Sequence, residues 1–297
     1  MVEGEVVTGA VQRPVVAVPR LPRPSCAPDP SALDARELRR LVATAVDDGR
    51  LRVVYQPLFD LRTGEVLGAE ALLRLAGPDG TTVPPDVFVP VAEESGAIHE
   101  MGAWVLFTAA AQCAAWKAAL PSDAEFCIGV NLSPRQLEDP GLTGRVSREV
   151  AAAGLDPSAL VLELTEQRMT EDREAACRTL AALRSAGSHI AVDDFGTGYA
   201  SLAYLLDFPV DVLKLDRSLT RLLGQPGQPG RVASAAARLT TSVGMVGIAE
   251  GVETEAERAQ ALAHGFTLGQ GYLMSRPLAV PDFTALLAEQ QPVACTG

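Results

Sequence analysis

Eight short apolar runs, separated by stretches with helical spacing, constrain this chain more than any other feature. They are Arg52–Gln56, Val66–Glu70, Phe126–Asn131, Leu160–Leu164, Ile190–Asp193, Val212–Leu215, Met245–Glu250 and Thr267–Gln270. Short apolar runs bounded by turn residues read as buried strands. Strands alternating with helices predict a parallel sheet, either closed into a (β/α)8 barrel or left open and doubly wound. Nearly every run ends in a polar or charged residue: Gln56, Glu70, Asn131, Glu163, Asp193, Lys214, Glu250 and Gln270. Barrel enzymes gather their chemistry at the C-terminal ends of several strands at once. Eight polar endings in succession therefore favour the barrel.

Helix boundaries support the alternation. Ser31 is placed to cap a helix running to about Val46, with Leu33, Leu38, Leu41 and Val42 on one side. Ser133-Pro134-Arg135-Gln136 and Thr254-Glu255-Ala256-Glu257 each read as a capping box, the first with Pro at the opening helical position. A further helix is expected from about Thr170 to Ser185, stopping at Gly187. Residues 1–32 are rich in Pro and read as a disordered arm or linker, and residues 291–297 as a short tail. A net charge of −12 argues against a binder of DNA or RNA polymers. Five scattered cysteines without a C-x-x-C pair suggest free thiols and a reducing, cytoplasmic setting. No signal peptide is evident, and Met101–Leu120, interrupted by Gln112 and Lys117, reads as a core helix and not a membrane span.

The stretch Ile190–Leu202 carries the densest chemistry. An apolar run meets two adjacent carboxylates, Asp193 and Asp194, and then a Gly-Thr-Gly hinge. Adjacent strand side chains point to opposite faces, so the pair converges only if the strand ends at Asp193. A plain turn or helix cap explains the same residues equally well. Should Glu70, Asn131, Glu163 and Asp193 converge, they offer only oxygen donors, which suit Mg²⁺ or Mn²⁺ and not Zn²⁺. Asp194 and Glu250 would then hold a second ion, with Asp193 bridging, an arrangement suited to phosphodiester hydrolysis. Lys214 would be the lone cation on the floor, either orienting the attacking water or serving as a structural ion-pair partner.

Glu70-Ala71-Leu72-Leu73-Arg74 resembles the signature of the EAL domain, the bacterial phosphodiesterase of cyclic di-GMP. The flanking motifs match in order and spacing: Tyr55-Gln56-Pro57, Phe88–Gly96, Asn131-Leu132-Ser133, Glu163-Leu164-Thr165-Glu166, Asp193–Leu202, Leu213–Asp216, Ala249–Glu253 and Gln270-Gly271-Tyr272. The resemblance implies a domain over residues 33–290 folded as a modified (β/α)8 barrel with one antiparallel strand. It implies two Mg²⁺ or Mn²⁺ ions, inhibition by Ca²⁺, and cleavage of cyclic di-GMP to linear pGpG. By motif position Glu70, Asn131, Glu163 and Asp193 resemble ligands of one metal, and Asp193 and Asp194 those of the other. Lys214 and Glu250 match residues that engage the attacking water. Gln56 and Arg74 resemble substrate contacts, Glu166 a loop anchor, and Glu253 and Gln270 supporting or rim residues. A homodimer, and a regulatory protein partner, are further expectations. The alternative is a catalytically silent EAL module that binds cyclic di-GMP or a protein partner as a receptor. Gln167, Ala200 and Leu219 depart from the usual pattern, but no departure removes a ligand.

Overall fold

The computed structural model describes residues 33–165, 173–196, 208–242 and 244–290. The Pro-rich arm, the C-terminal tail, Ser31, Glu166 and the opening of the helix expected from Thr170 lie outside the described residues. Nine strands occur among them: β1 (Leu51–Asp60), β2 (Val66–Ala76), β3 (Thr82–Val83), β4 (Cys127–Asn131), β5 (Leu160–Thr165), β6 (His189–Phe195), β7 (Val212–Leu215), β8 (Val246–Ala249) and β9 (Leu268–Gly269). All eight apolar runs are strands. The helices are α1 (Ala35–Ala43), α2 (Pro85–Ser95), α3 (Ile98–Ala119), α4 (Pro134–Leu137), α5 (Leu142–Ala152), α6 (Arg173–Ser185), α7 (Arg217–Thr220), α8 (Gln228–Ser242), α9 (Glu255–Ala263) and α10 (Val280–Gln290).

The sheet closes, because β1 pairs with β2 on one side and with β9 on the other. That closure selects the barrel over the open sheet. From β2 through β4 to β9 the neighbours are parallel. β1 runs antiparallel to both its partners, as expected, and β3 adds a short strand to the edge of β2.

The long β1–β2 hairpin corrects one expectation. Gln56 and Glu70 do not end their strands but sit mid-strand, directly opposite one another. The hairpin continues past them as Leu51–Val54 against Leu72–Leu75. There it buries Leu51 and Leu75 in a satellite core with Leu38, Val42, Phe88 and Met101 of α1, α2 and α3. The first helix starts later than expected, because Asp34 caps it by accepting from the Glu37 amide at 2.8 Å, and it ends at Ala43. The two capping boxes form as expected at Ser133/Gln136 and Thr254/Glu257.

Helix α3 buries one face through Val105, Ala109, Cys113 and Trp116 against the barrel. Trp116 stacks on Phe283 of α10 at 4.4 Å and meets Tyr55 edge-on at 4.8 Å. Its indole N–H donates to Thr284 Oγ1 at 2.9 Å, so the ring's one polar atom is satisfied. Such aromatic pairs are worth about 0.5–1.5 kcal/mol each beyond their burial. Here they clamp the last helix over β1. No helix among the described residues is long and apolar enough to cross a membrane.

Inside the barrel, Leu58, Val161, Ala191, Val212 and Ile248 form a thin apolar layer. A cavity of about 1060 Å³ runs from Glu70, Glu163, Lys214 and Gln270 past this layer to Asp60, Arg184, His189 and Asp211 at the opposite end of the barrel. Above the apolar layer lies the polar layer.

Candidate active site

The polar layer is built two residues above the apolar one on successive strands, so strand alternation alone aims its side chains inward. At its centre is Lys214 of β7, with 1% of its surface exposed. Its ammonium lies 2.7 Å from Glu163 Oε2, 2.9 Å from Glu250 Oε1, 3.1 Å from Glu70 Oε2 and 3.1 Å from Asp193 Oδ1. One cation among four carboxylates leaves three uncompensated negative charges if all are ionised. Gln270 bridges two of the acids, its amide donating to Glu70 Oε2 and Glu250 Oε1 at 2.8 Å each. Asn131 donates to Glu70 Oε1 at 2.9 Å, which leaves its amide oxygen as the atom it could offer a cation.

The carboxyls respond unequally to this crowding. Burial opposes ionisation of Glu70, but Lys214 and the amides of Gln270 and Asn131 hold its carboxyl below the usual range. Burial pushes the Glu163 carboxyl well above that range, and the charges of Glu70 and Asp193 add to the push. Burial likewise raises Glu250 to about 8, helped by Asp193 and Glu70 against the pull of Lys214. Asp194 is raised to about 6 by burial and by the nearby charges of Asp193 and Asp216. Lys214 stays charged despite its burial, because its carboxylates hold its ammonium well above the ordinary lysine value. A layer that strains to shed negative charge is one that gains from added cations.

The convergence of Asp193 and Asp194 happens, but not as expected. β6 does not end at Asp193. It carries an irregularity between Val192 and Phe195, and Asp194 adopts a left-handed backbone with φ of 54°. Asp tolerates this region better than most residues. The kink brings both carboxylates to one side. Oxygens of Asp193, Asp194 and Glu250 lie within 4.8 Å of one another, as do those of Glu70, Glu163 and Asp193. Asp193 belongs to both groups. An all-oxygen, largely anionic donor set fits hard divalent cations, and two overlapping sets fit two of them.

Other expected residues stand around the layer. Gln56 is buried at the mouth and donates to the Ser275 carbonyl at 2.8 Å. Arg74, higher on β2, is half-buried, and one of its guanidinium nitrogens donates to the Leu73 carbonyl at 2.9 Å. Glu253 is not in the layer: it pairs with Arg221 at 2.7 Å on the outer rim. The role of Ser275, whose carbonyl holds Gln56, is one that sequence reasoning missed. The available signal was the Ser-Arg-Pro turn that follows Gln270-Gly271-Tyr272.

A closed barrel whose inner polar layer gathers acidic oxygen donors around one buried lysine defines a site of a kind suited to hard cations. The chain belongs to the EAL domain family, whose pattern matches residues 36–277. An uncharacterized signaling protein of Caulobacter vibrioides is 38% identical over 266 residues, which is 90% of this chain and 32% of that protein. The chain spans 30% to 40% of the length of such curated relatives. Among solved structures, it is similar to the PaMucR phosphodiesterase in complex with c-di-GMP, with a TM-score of 0.77 and 35% identity, over 83% of this chain and 99% of that one. It is also similar to the EAL domain of Mycobacterium smegmatis DcpA, with a TM-score of 0.68 and 35% identity, over 82% and 98% of the two chains.

Proposed function

We propose that this protein is a divalent-metal phosphodiesterase that hydrolyses cyclic di-GMP to linear pGpG. The observation that carries the reading is the single buried ammonium of Lys214 among four carboxylates, a cluster whose excess negative charge calls for cations. Glu70, Asn131, Glu163 and Asp193 would hold one Mg²⁺ or Mn²⁺, and Asp193 with Asp194 a second. When bound, the pair supplies Lewis-acid activation of water and charge stabilisation at the phosphorus.

The chain's own residues do the rest. Lys214 keeps its proton and presents positive charge to the oxygens that gain negative charge as the phosphodiester bond breaks. Glu250, joined to Lys214 and Gln270, orients the attacking water by accepting its hydrogen bond. Gln270 fixes Glu70 and Glu250 relative to one another. Gln56 and Arg74 at the mouth bind the substrate, a guanidinium suiting either a phosphate or a guanine edge. The same reading carries a cytoplasmic homodimer, inhibited by Ca²⁺ because a larger, loosely coordinated ion misplaces the water.

Incubation with cyclic di-GMP and Mn²⁺ or Mg²⁺, followed by chromatography, tests the proposal. Release of pGpG that a chelator blocks supports it. Substrate that binds yet stays intact overturns catalysis in favour of a receptor.

A further inference from the structure

Past Gln270 the chain makes a tight turn that is pinned from two sides. Leu273 N–H donates to the Val252 carbonyl at 3.0 Å, and the Ser275 carbonyl accepts from Gln56. Tyr272 rides on this turn. Four large apolar or aromatic side chains are exposed among the described residues: Phe107, Val232, Val246 and Tyr272. Of these, only Tyr272 is two residues from a member of the polar layer, and the residue is 53% exposed. The guanidinium of Arg276 lies over one face of that ring, 4.1 Å from its centroid. Arg276 is exposed and pairs with no carboxylate among the described residues. Arg74, the second guanidinium of this region, stands four residues beyond Glu70 on β2.

These positions form a rim whose character is opposite to the layer beneath it. The floor is acidic and repels a dianion, while the rim offers two guanidiniums and a flat ring held on a fixed turn. A ring already braced by a guanidinium gives up little freedom when a ligand arrives. The exposed part of the ring suits a purine, because every base has a π-face to stack.

We infer that Tyr272 is the stacking platform for one guanine base of a bound cyclic dinucleotide, and that Arg276 braces the ring and draws in the anionic ligand. The inference rests on the reading of this site as one for cyclic di-GMP. Tyr272 is here a substrate-binding residue, so its removal weakens binding and raises KM while leaving kcat nearly unchanged.

The test uses the full chain with Mn²⁺, a fluorescent cyclic di-GMP for equilibrium binding, and pGpG release for kinetics. Tyr272→Leu keeps the apolar bulk but not the ring, and is expected to weaken binding and raise KM by about tenfold or more. Tyr272→Phe keeps the ring and stays within about threefold of the parent, and Tyr272→Trp binds at least as tightly. Arg276→Ala weakens binding by a few-fold and lessens its dependence on salt. Thermal midpoint and Mn²⁺ affinity stay put in all four variants. Equal binding by the parent and Tyr272→Leu overturns the platform, as does an equal loss in Tyr272→Leu and Tyr272→Phe. A parent that binds but releases no pGpG overturns the catalytic reading and leaves the platform tested by the binding series. A parent that does not bind overturns both.

Discussion

At the scale of the residue, Glu70 shows how one side chain is held by many others. It accepts from Lys214, Gln270 and Asn131, and faces Gln56 across the hairpin. Glu70→Ala removes a cation ligand without removing core volume, and it also relieves repulsion among the remaining acids. We expect pGpG release to fall by a factor of about 10³ or more, with a thermal midpoint in metal-free buffer close to that of the parent. Retained turnover would refute the assignment of Glu70 as a ligand. The polar side chains of this layer were legible in the sequence because each follows an apolar run by a fixed pleat. The mouth was less so. Gln56 is held by a backbone carbonyl 219 positions away, and no pattern in the sequence marks a backbone acceptor. Glu253, expected as a supporting or rim residue, pairs with Arg221 at the rim, a partner that no motif marks.

At the scale of the element, the turn after β9 sets where the rim stands. A Cβ at Gly271 would collide with the Val252 backbone, against which the turn is hydrogen-bonded. Backbone cannot move aside as a flexible side chain can. Gly271→Ala is therefore expected to cost about 1–3 kcal/mol in urea unfolding, in the range of overpacked sites. It should also weaken cyclic di-GMP binding, since Tyr272 rides on the displaced turn. An unchanged urea midpoint would show that the contact yields. Element existence was readable from the apolar runs, and element extent was not. β3 spans two residues, too few to carry a period. The upper half of the β1–β2 hairpin is buried by α1, α2 and α3, and a short window cannot foresee such tertiary burial. The left-handed Asp194 was hidden for a similar reason: Asp is only mildly marked for that conformation, and no local pattern marks the break in pairing between Val192 and Phe195 that goes with it.

At the scale of the whole molecule, the strained charge of the layer becomes a property of folding. In the metal-free protein Glu250 binds its proton up to about pH 8 and Asp194 up to about pH 6, whereas in the unfolded chain both ionise near ordinary carboxyl values. The folded state then holds more protons than the unfolded state across that window. Stability contributed by these groups is thus full at low pH and lost as pH rises toward about 8. Urea titrations between pH 5 and 9 should show this decline in chelator and a flatter profile with Mn²⁺, whose binding replaces the protons. A metal-free profile that rises over the same window would contradict the burial of these acids. The closure of β1 onto β9 has a consequence of another kind, in the order of synthesis. β1 leaves the ribosome early, but its antiparallel partner at Leu268–Gly269 is among the last strands made. At about 5–20 residues per second, the first strand waits roughly ten seconds or more with one edge unpaired. Until that late strand arrives, Gln270 is absent too, so a nascent chain has neither a closed wall nor a finished floor. Translation speed through the second half of the message thereby sets how long an aggregation-prone edge stays open, and no truncated product can carry a complete site.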